Sequence, residues 1–253
     1  MTAHPEPSST PLPYIACTHD FRVDCSHCRI RSLCLPVALD GDDIEKLDEI
    51  VQRGTPLQKG QYLYREGDRF QSIYVVRSGT LKAFRTTDDG REQVTGFYFP
   101  GEILGMDGIS KNAYASTARA LETVAVCEIP FSSLEKLSAV IPSLQRHFFQ
   151  LMSHEIIEDQ MLITLLSKNS AEQRVAALIL SISSRQARLK LSATKFRLPM
   201  SRIDIGNYLG LTVETVSRVF SRMQKIAVLE VDNKEIRILD IDGLRRLADI
   251  GGR

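Results

Sequence analysis

Three hydrophobic periods follow one another along this chain. Over 40–51 the spacing is helical, with Ile44, Leu47, Ile50 and Val51 on one side of a short amphipathic helix. From 54 to 130 the period falls to two. Short alternating runs lie at 61–64, 72–76, 81–84, 94–99 and 124–127, and Gly67, Gly79, Gly90 and Gly101 punctuate them every eleven or twelve residues. Evenly spaced short strands with glycine-containing turns predict a double-sheet jelly roll or barrel. Pro142 then opens a long helix to about residue 167; its missing N–H would be unpaired in a first turn anyway. Along this helix Phe149, Met152, Ile156, Asp159, Ile163 and Leu166 alternate steps of three and four. Such a row fits a two-stranded coiled-coil seam or a helix packed on its own domain. Asp159 stands in it where an apolar side chain is expected. Further helices are expected at 171–188, 201–209 and 212–225, then a hairpin turning at Asp232 and Asn233 and a small helix from 242.

A chain of 253 residues can bury two ordinary cores. Its net charge of +1 conceals an asymmetry. Residues 40–167 carry 13 Lys+Arg against 19 Asp+Glu, whereas 168–225 carry 11 against 3. A basic segment on an otherwise acidic chain suits a polyanion such as double-stranded DNA, or simply a solvated basic face. No apolar run approaches the roughly 20 residues that span a bilayer, and the N-terminus lacks the basic start and apolar run of a signal peptide. A cytoplasmic protein with no membrane partner is expected.

The cysteines carry the candidate metal chemistry. Cys25, Cys28 and Cys34 form a Cys-x2-Cys-x5-Cys run, and Cys127 follows after 92 intervening residues. In a cytoplasmic protein this reads as metal-binding or redox-active rather than as a disulfide framework. Four thiolates suit tetrahedral zinc or an iron–sulfur cluster, and spacing alone leaves both open, with zinc the safer choice. Cys17 is a fifth thiol with no expected role. An enzyme is not expected: His4, His19, His27, His147 and His154 pair with no candidate nucleophile, no glycine-rich phosphate loop is present, and no βαβ pattern surrounds Cys-x2-Cys.

The most specific local pattern runs from Ser201 to Phe220. Ile203, Ile205, Leu209, Leu211 and Val216 supply the apolar contacts of two short helices meeting at Gly210, and Thr212 caps the second. Glu214, Ser217 and Arg218 project from one face of that second helix. A helix-turn-helix places such a face in the major groove, where Arg reads guanine and Glu accepts from cytosine. The bland alternative is a surface ion pair between Glu214 and Arg218.

These residues resemble the CRP/FNR superfamily of bacterial transcription regulators, over nearly the whole chain. Glu214, Ser217 and Arg218 look like the recognition signature of the FNR branch. Cys25, Cys28, Cys34 and Cys127 match its cluster ligands. The stretches Glu122-Thr-Val-Ala-Val-Cys-Glu-Ile-Pro-Phe131 and Ile205-Gly-Asn-Tyr-Leu-Gly-Leu-Thr-Val-Glu-Thr-Val-Ser-Arg218 match as well. The resemblance implies an α+β chain in four parts: a cysteine segment (1–35), a β-roll sensor of double-stranded β-helix type (36–141), a dimerisation helix (142–167) with the Phe149–Leu166 seam as interface, and a winged helix-turn-helix (168–253). It implies a [4Fe–4S] cluster that oxygen converts to [2Fe–2S], and a homodimer, formed while the cluster is intact, on a TTGAT-N4-ATCAA-type palindrome. It also implies anaerobic activation or repression through RNA polymerase, with the Asp88-Asp-Gly90 turn as one contact.

Three departures stand out. His27 and Arg29 sit beside the ligands and are expected to alter oxygen sensitivity. The wing approach Lys225-Ile-Ala-Val-Leu229 lacks the glycine common in relatives. The stretches matching the nucleotide site of the CRP branch read Gly105-Met106 and Tyr114-Ala115, without its ribose carboxylate or phosphate arginine, so a cyclic-nucleotide-responsive or zinc-bound regulator is the lesser alternative.

Overall fold

The computed structural model describes residues 23–249; Cys17, His4, His19 and the Pro/Ser/Thr-rich start lie outside them. Two 3-10 turns, Arg31–Leu33 and Leu35–Ala38, lead from the cysteine run into α1 (Gly41–Ile50). The β-rich part follows: β1 (Tyr62–Tyr64), β2 (Ser72–Ser78), β3 (Leu81–Thr86), β4 (Glu92–Tyr98), β5 (Ile103–Leu104), β6 (Thr117–Ala120) and β7 (Ala125–Pro130). They form two antiparallel sheets, ordered β1-β6-β3-β4 and β5-β2-β7. Each run of period two became a strand. β5 and β6 were not expected: β5 has two residues, and β6 reads Thr-Ala-Arg-Ala, without a bulky alternating face.

Next come α2 (Phe131–Val140) and α3 (Pro142–Lys168). Ile141 between them is extended (φ −120°, ψ 92°), as a residue before proline prefers, so the two helices stay separate. The rest comprises α4 (Ala171–Arg188), β8 (Lys195–Arg197), α5 (Arg202–Leu209), α6 (Val213–Lys225), β9 (Leu229–Asp232), β10 (Glu235–Ile238) and α7 (Ile241–Leu247), with β8-β10-β9 as a third sheet.

Two apolar cores hold these parts. The first joins both β-roll sheets (Ile73, Val75, Leu81, Leu104, Ala118, Ile129) to Ile30, Leu35, Ile44 and Leu47 before them and to Leu144 and Phe148 of α3 after them. The cysteine run and the start of α3 therefore share one core. The second crosses from sensor to winged helix: Phe84, Val94, Phe97 and Phe99 pack with Val175, Ile179, Ile205, Leu209, Val216 and Phe220. Polar contacts reinforce that junction. Lys82 Nζ, 3% exposed, donates to Glu92 (2.8 Å) and to Asp204 of α5 (2.7 Å). Gln93 Nε2 donates to Asn207 O (2.8 Å), and Arg185 Nε to Glu102 (2.7 Å).

Candidate metal centre and nucleic-acid interface

All four expected cysteines line one small cavity with Val23, Ile30, Leu35, Leu47, Val51, Val75 and Ile129. Cys127 is delivered by β7, opposite Val75 of β2, so its position is set by the sheet register. The other three come from the turn-rich run over Gly101. A Cβ on Gly101 would lie 2.8 Å from Leu33 Cβ, and its φ of +93° suits glycine, so the close docking of the run needs no side chain there.

Burial pushes the Cys25 thiol up to about 12, with the Asp48 carboxylate adding and Arg53 opposing. Burial likewise raises Cys34 and Cys127. Such thiols become ligands by exchanging their protons for metal ions, so loading this site releases protons. Among the described residues no three Cys, His, Asp or Glu side chains converge as the ligands of a single ion do. Three arginines, Arg31, Arg53 and Arg77, line the same cavity. Arg53 Nε is buried without a hydrogen-bond partner, a donor facing the need of an anionic thiolate-held group. The donor set fits an iron–sulfur cluster.

His27 and Arg29, singled out by sequence adjacency, do not line the cavity and are exposed. His27 is drawn outward to Asp24, whose Oδ1 accepts from both its backbone N and Nδ1 (each 2.9 Å). The cationic neighbours are Arg31, Arg53 and Arg77. Asp48 and Arg53 went unnoticed in the sequence because they lie 23 and 28 residues from Cys25, with no spacing rule linking them.

The helix-turn-helix is capped at each end. Ser201 and Asp204 form a reciprocal capping box on α5, and Gly210 closes that helix at φ +64°. Thr212 Oγ1 accepts from Thr215 N to start α6. A Cβ at Gly206 would meet Leu211 O at 2.6 Å, so the tight crossing of the two helices requires glycine. On α6, Val216, Val219, Phe220 and Met223 face the core, while Glu214, Ser217 and Arg218 are exposed on the opposite side. Arg218 Nη2 donates to Thr215 Oγ1 (3.4 Å), and no ion pair within 4 Å joins it to Glu214 among the described residues. The basic count of this segment overstates its free charge. Arg174 is spent on the carbonyls of Asn169 and Leu209, Arg185 and Arg188 on Glu102, and Arg222 on Glu172.

On α3 the expected seam divides. Phe149, Ile156 and Ile163 are 60%, 56% and 66% exposed, an apolar row without cover from the described residues. Met152 instead packs against the sensor core, and Leu166 is half-buried. Asp159 lies exposed between Ile156 and Ile163. Ile157 and Met161 are also exposed, which widens the apolar face beyond the heptad row.

Inside the β-roll, Tyr64 and Tyr114 stack at 3.9 Å between ring centroids, with Tyr74 5.8 Å from Tyr64, and Tyr114 Oη donates to Ser72 O (2.7 Å). Tyr114, in one of the two stretches matched to the CRP nucleotide site, is thus a buried filler of the roll.

The comparisons with known proteins fit this architecture. A cyclic nucleotide-binding domain model matches residues 55–139 and a Crp-like helix-turn-helix domain model matches 173–247. The chain is 51% identical over 224 residues to the transcriptional activator protein FnrA of Stutzerimonas stutzeri, covering 88% of this chain and 92% of that protein. It is 47% identical over 226 residues to the fumarate and nitrate reduction regulatory protein of Escherichia coli K12, covering 89% and 90%. This chain belongs to the CRP/FNR superfamily, in its FNR branch. Among solved structures, FixK2 from Bradyrhizobium japonicum superposes with a TM-score of 0.72 at 29% identity, covering 78% of this chain and 97% of that one. Among the described residues no helix is long and apolar enough to cross a membrane.

Proposed function

We propose that this FNR-branch protein is an oxygen-responsive, DNA-binding transcription regulator whose four cysteines hold a [4Fe–4S] cluster. The observation that carries the reading is the convergence of Cys25, Cys28, Cys34 and Cys127 on one cavity, within a core that also contains the start of α3. When bound, the cluster supplies an oxygen-labile link between the 25–34 run and β7. Through that link the cysteines fix the run, the Leu35–Ala38 turn packs on α3, and α3 presents Phe149, Ile156 and Ile163 to a second copy. Two copies then place two α6 faces on adjacent half-sites of a TTGAT-N4-ATCAA-type palindrome, so both reading heads engage one operator. Arg218 reads guanine, Glu214 the opposing base edge, and Ser217 a neighbour. The exposed β3–β4 turn at Asp88-Asp-Gly90 is available to RNA polymerase.

The test is anaerobic purification with an absorption spectrum and iron and sulfide assays, followed by operator binding. A brown protein with iron and acid-labile sulfide, binding the palindrome as a dimer and losing affinity in air, is expected. Arg218→Ala should weaken binding by about 1–3 kcal/mol and relax preference at one base position. A colourless protein holding one zinc overturns the oxygen-sensor reading.

A further inference from the structure

We infer that Arg53 compensates the charge of the cysteine centre and that Asp48 holds it in place; the inference rests on the cluster reading above. Arg53 follows the end of α1, and its side chain is 16% exposed. Its Nη2 donates both to Asp48 Oδ1 and to Cys25 Sγ, the latter at 3.5 Å. The same Asp48 Oδ1 accepts from the Cys25 backbone N at 2.8 Å. One carboxylate thus ties both the cysteine loop and the guanidinium to a single point on α1.

The arrangement differs from an ordinary helix-end salt bridge in two ways. Arg53, a residue that lines the cysteine cavity, touches the Cys25 sulfur, and its Nε is buried without a partner. A guanidinium carries its N–H groups in a fixed planar fork, so Nη2 can serve Asp48 and the Cys25 sulfur together while Nε remains as a further donor. The need for such a donor follows from the charge. Four thiolates outweigh the positive charge of an iron–sulfur core, so the loaded centre is a net anion in a cavity walled largely by Val, Leu and Ile, where uncompensated charge is costly. Hydrogen bonds to ligand sulfur are also a principal means by which a protein sets the reactivity of an iron–sulfur centre. The Cys25 corner receives this donor; its sequence neighbours His27 and Arg29 do not reach the cavity.

The experiment uses the full chain, reconstituted without oxygen with ferrous iron and sulfide, as wild type, Arg53→Gln and Arg53→Lys. Bound iron and sulfide are assayed, and iron transfer to a ferrous chelator is timed in the absence of oxygen. Melting of the metal-free proteins reports on folding. Arg53→Gln keeps a donor without charge and should lose iron about tenfold faster than wild type, whereas Arg53→Lys keeps the charge and should stay close to wild type. Equal rates for wild type and Arg53→Gln overturn the inference. So does equal acceleration in both variants accompanied by equal loss of metal-free melting temperature, which marks a packing role. Should Arg53→Gln not fold, the lysine variant decides: a rate near wild type supports the inference, and one more than about tenfold higher overturns it. A wild-type protein that takes up no iron and sulfide sinks the cluster reading itself, and that result is read before any variant is compared.

Discussion

Ala227 holds a backbone conformation that its sequence does not advertise. Its φ is +55°, at the point where α6 gives way to β9. Its N–H bonds to Gln224 O and that of Val228 to Met223 O, each at 3.0 Å, which closes the helix end in the manner usually served by glycine. An L-residue there carries a steric penalty, and the exposed Ala227 methyl recovers little by packing. Ala227→Gly is therefore expected to raise unfolding free energy by about 0.5–1 kcal/mol, read from urea titration with an unchanged slope. A fall in stability would show that the methyl contributes more than the strain removes. The turn forms without the glycine common in relatives, at the expense of one strained residue. At the cysteine centre the difficulty was of another kind. His27 and Arg29 were weighed because they adjoin the ligands in sequence, whereas the groups that reach Cys25 arrive from α1 and its end. That Cys25, Cys28, Cys34 and Cys127 line one cavity agrees with the metal-binding or redox role that their residue type and spacing predict, while the kind of metal centre is not legible from spacing.

At the scale of elements, β3 shows why the sensor–winged-helix junction was hidden. Its run Leu81, Lys82, Ala83, Phe84 reads as a strand with Lys82 and Phe84 on the opposite side from Leu81 and Ala83, yet all four are buried. One side of β3 faces the roll, and the other lies under the winged helix, where Phe84 joins the second core. A lysine in a strand signals solvent to any alternation rule; here it signals a junction with another unit. Burial raises the Asp204 carboxyl, but hydrogen bonds from Lys82 and Ser201 outweigh that and leave it below its ordinary value. A depressed carboxylate stabilises the fold above its unfolded pKa, and that contribution is lost as pH falls through the folded value. Removing the cation is the sharper test. Lys82→Met should destabilise the protein by about 3–5 kcal/mol, because Asp204 is left without its buried cation, whereas Glu92 keeps Arg119 at 2.9 Å. Adding Asp204→Asn to Lys82→Met should cost less than the two single effects summed, as equilibrium unfolding of the four proteins would show. Strict additivity would mean that the 2.7 Å contact does not couple the two units.

Across the whole molecule, α3 has to reconcile two demands. Its first turns belong to the sensor core through Leu144 and Phe148, while its middle presents an apolar row broken by Asp159. Burial, with Glu158 adding, already raises the Asp159 carboxyl above its ordinary value in the single chain. Pairing α3 with its copy would bring two such groups together in a drier seam and raise them further, because like charges and desolvation both disfavour the ionised form. The sign follows directly. The paired state binds more protons than the separated chains, so association strengthens as pH falls from neutrality toward the carboxylate range. Sedimentation of the cluster-free protein should show more dimer at mildly acid pH than at neutral pH. Asp159 also lines a groove between α3 and α4 that holds other ionisable side chains, namely His154, Glu155, Glu158, Glu102, Tyr98 and Tyr208, with Arg185 and Arg188 beside them. Asp159→Asn separates their contribution: it should dimerise at neutral pH without the cluster and lose most of the pH dependence. If the asparagine variant stayed monomeric, or kept the full pH response, the opposition to pairing would have to come from the other carboxylates of the groove. The exposed row at Phe149, Ile156 and Ile163 would then need a different brake.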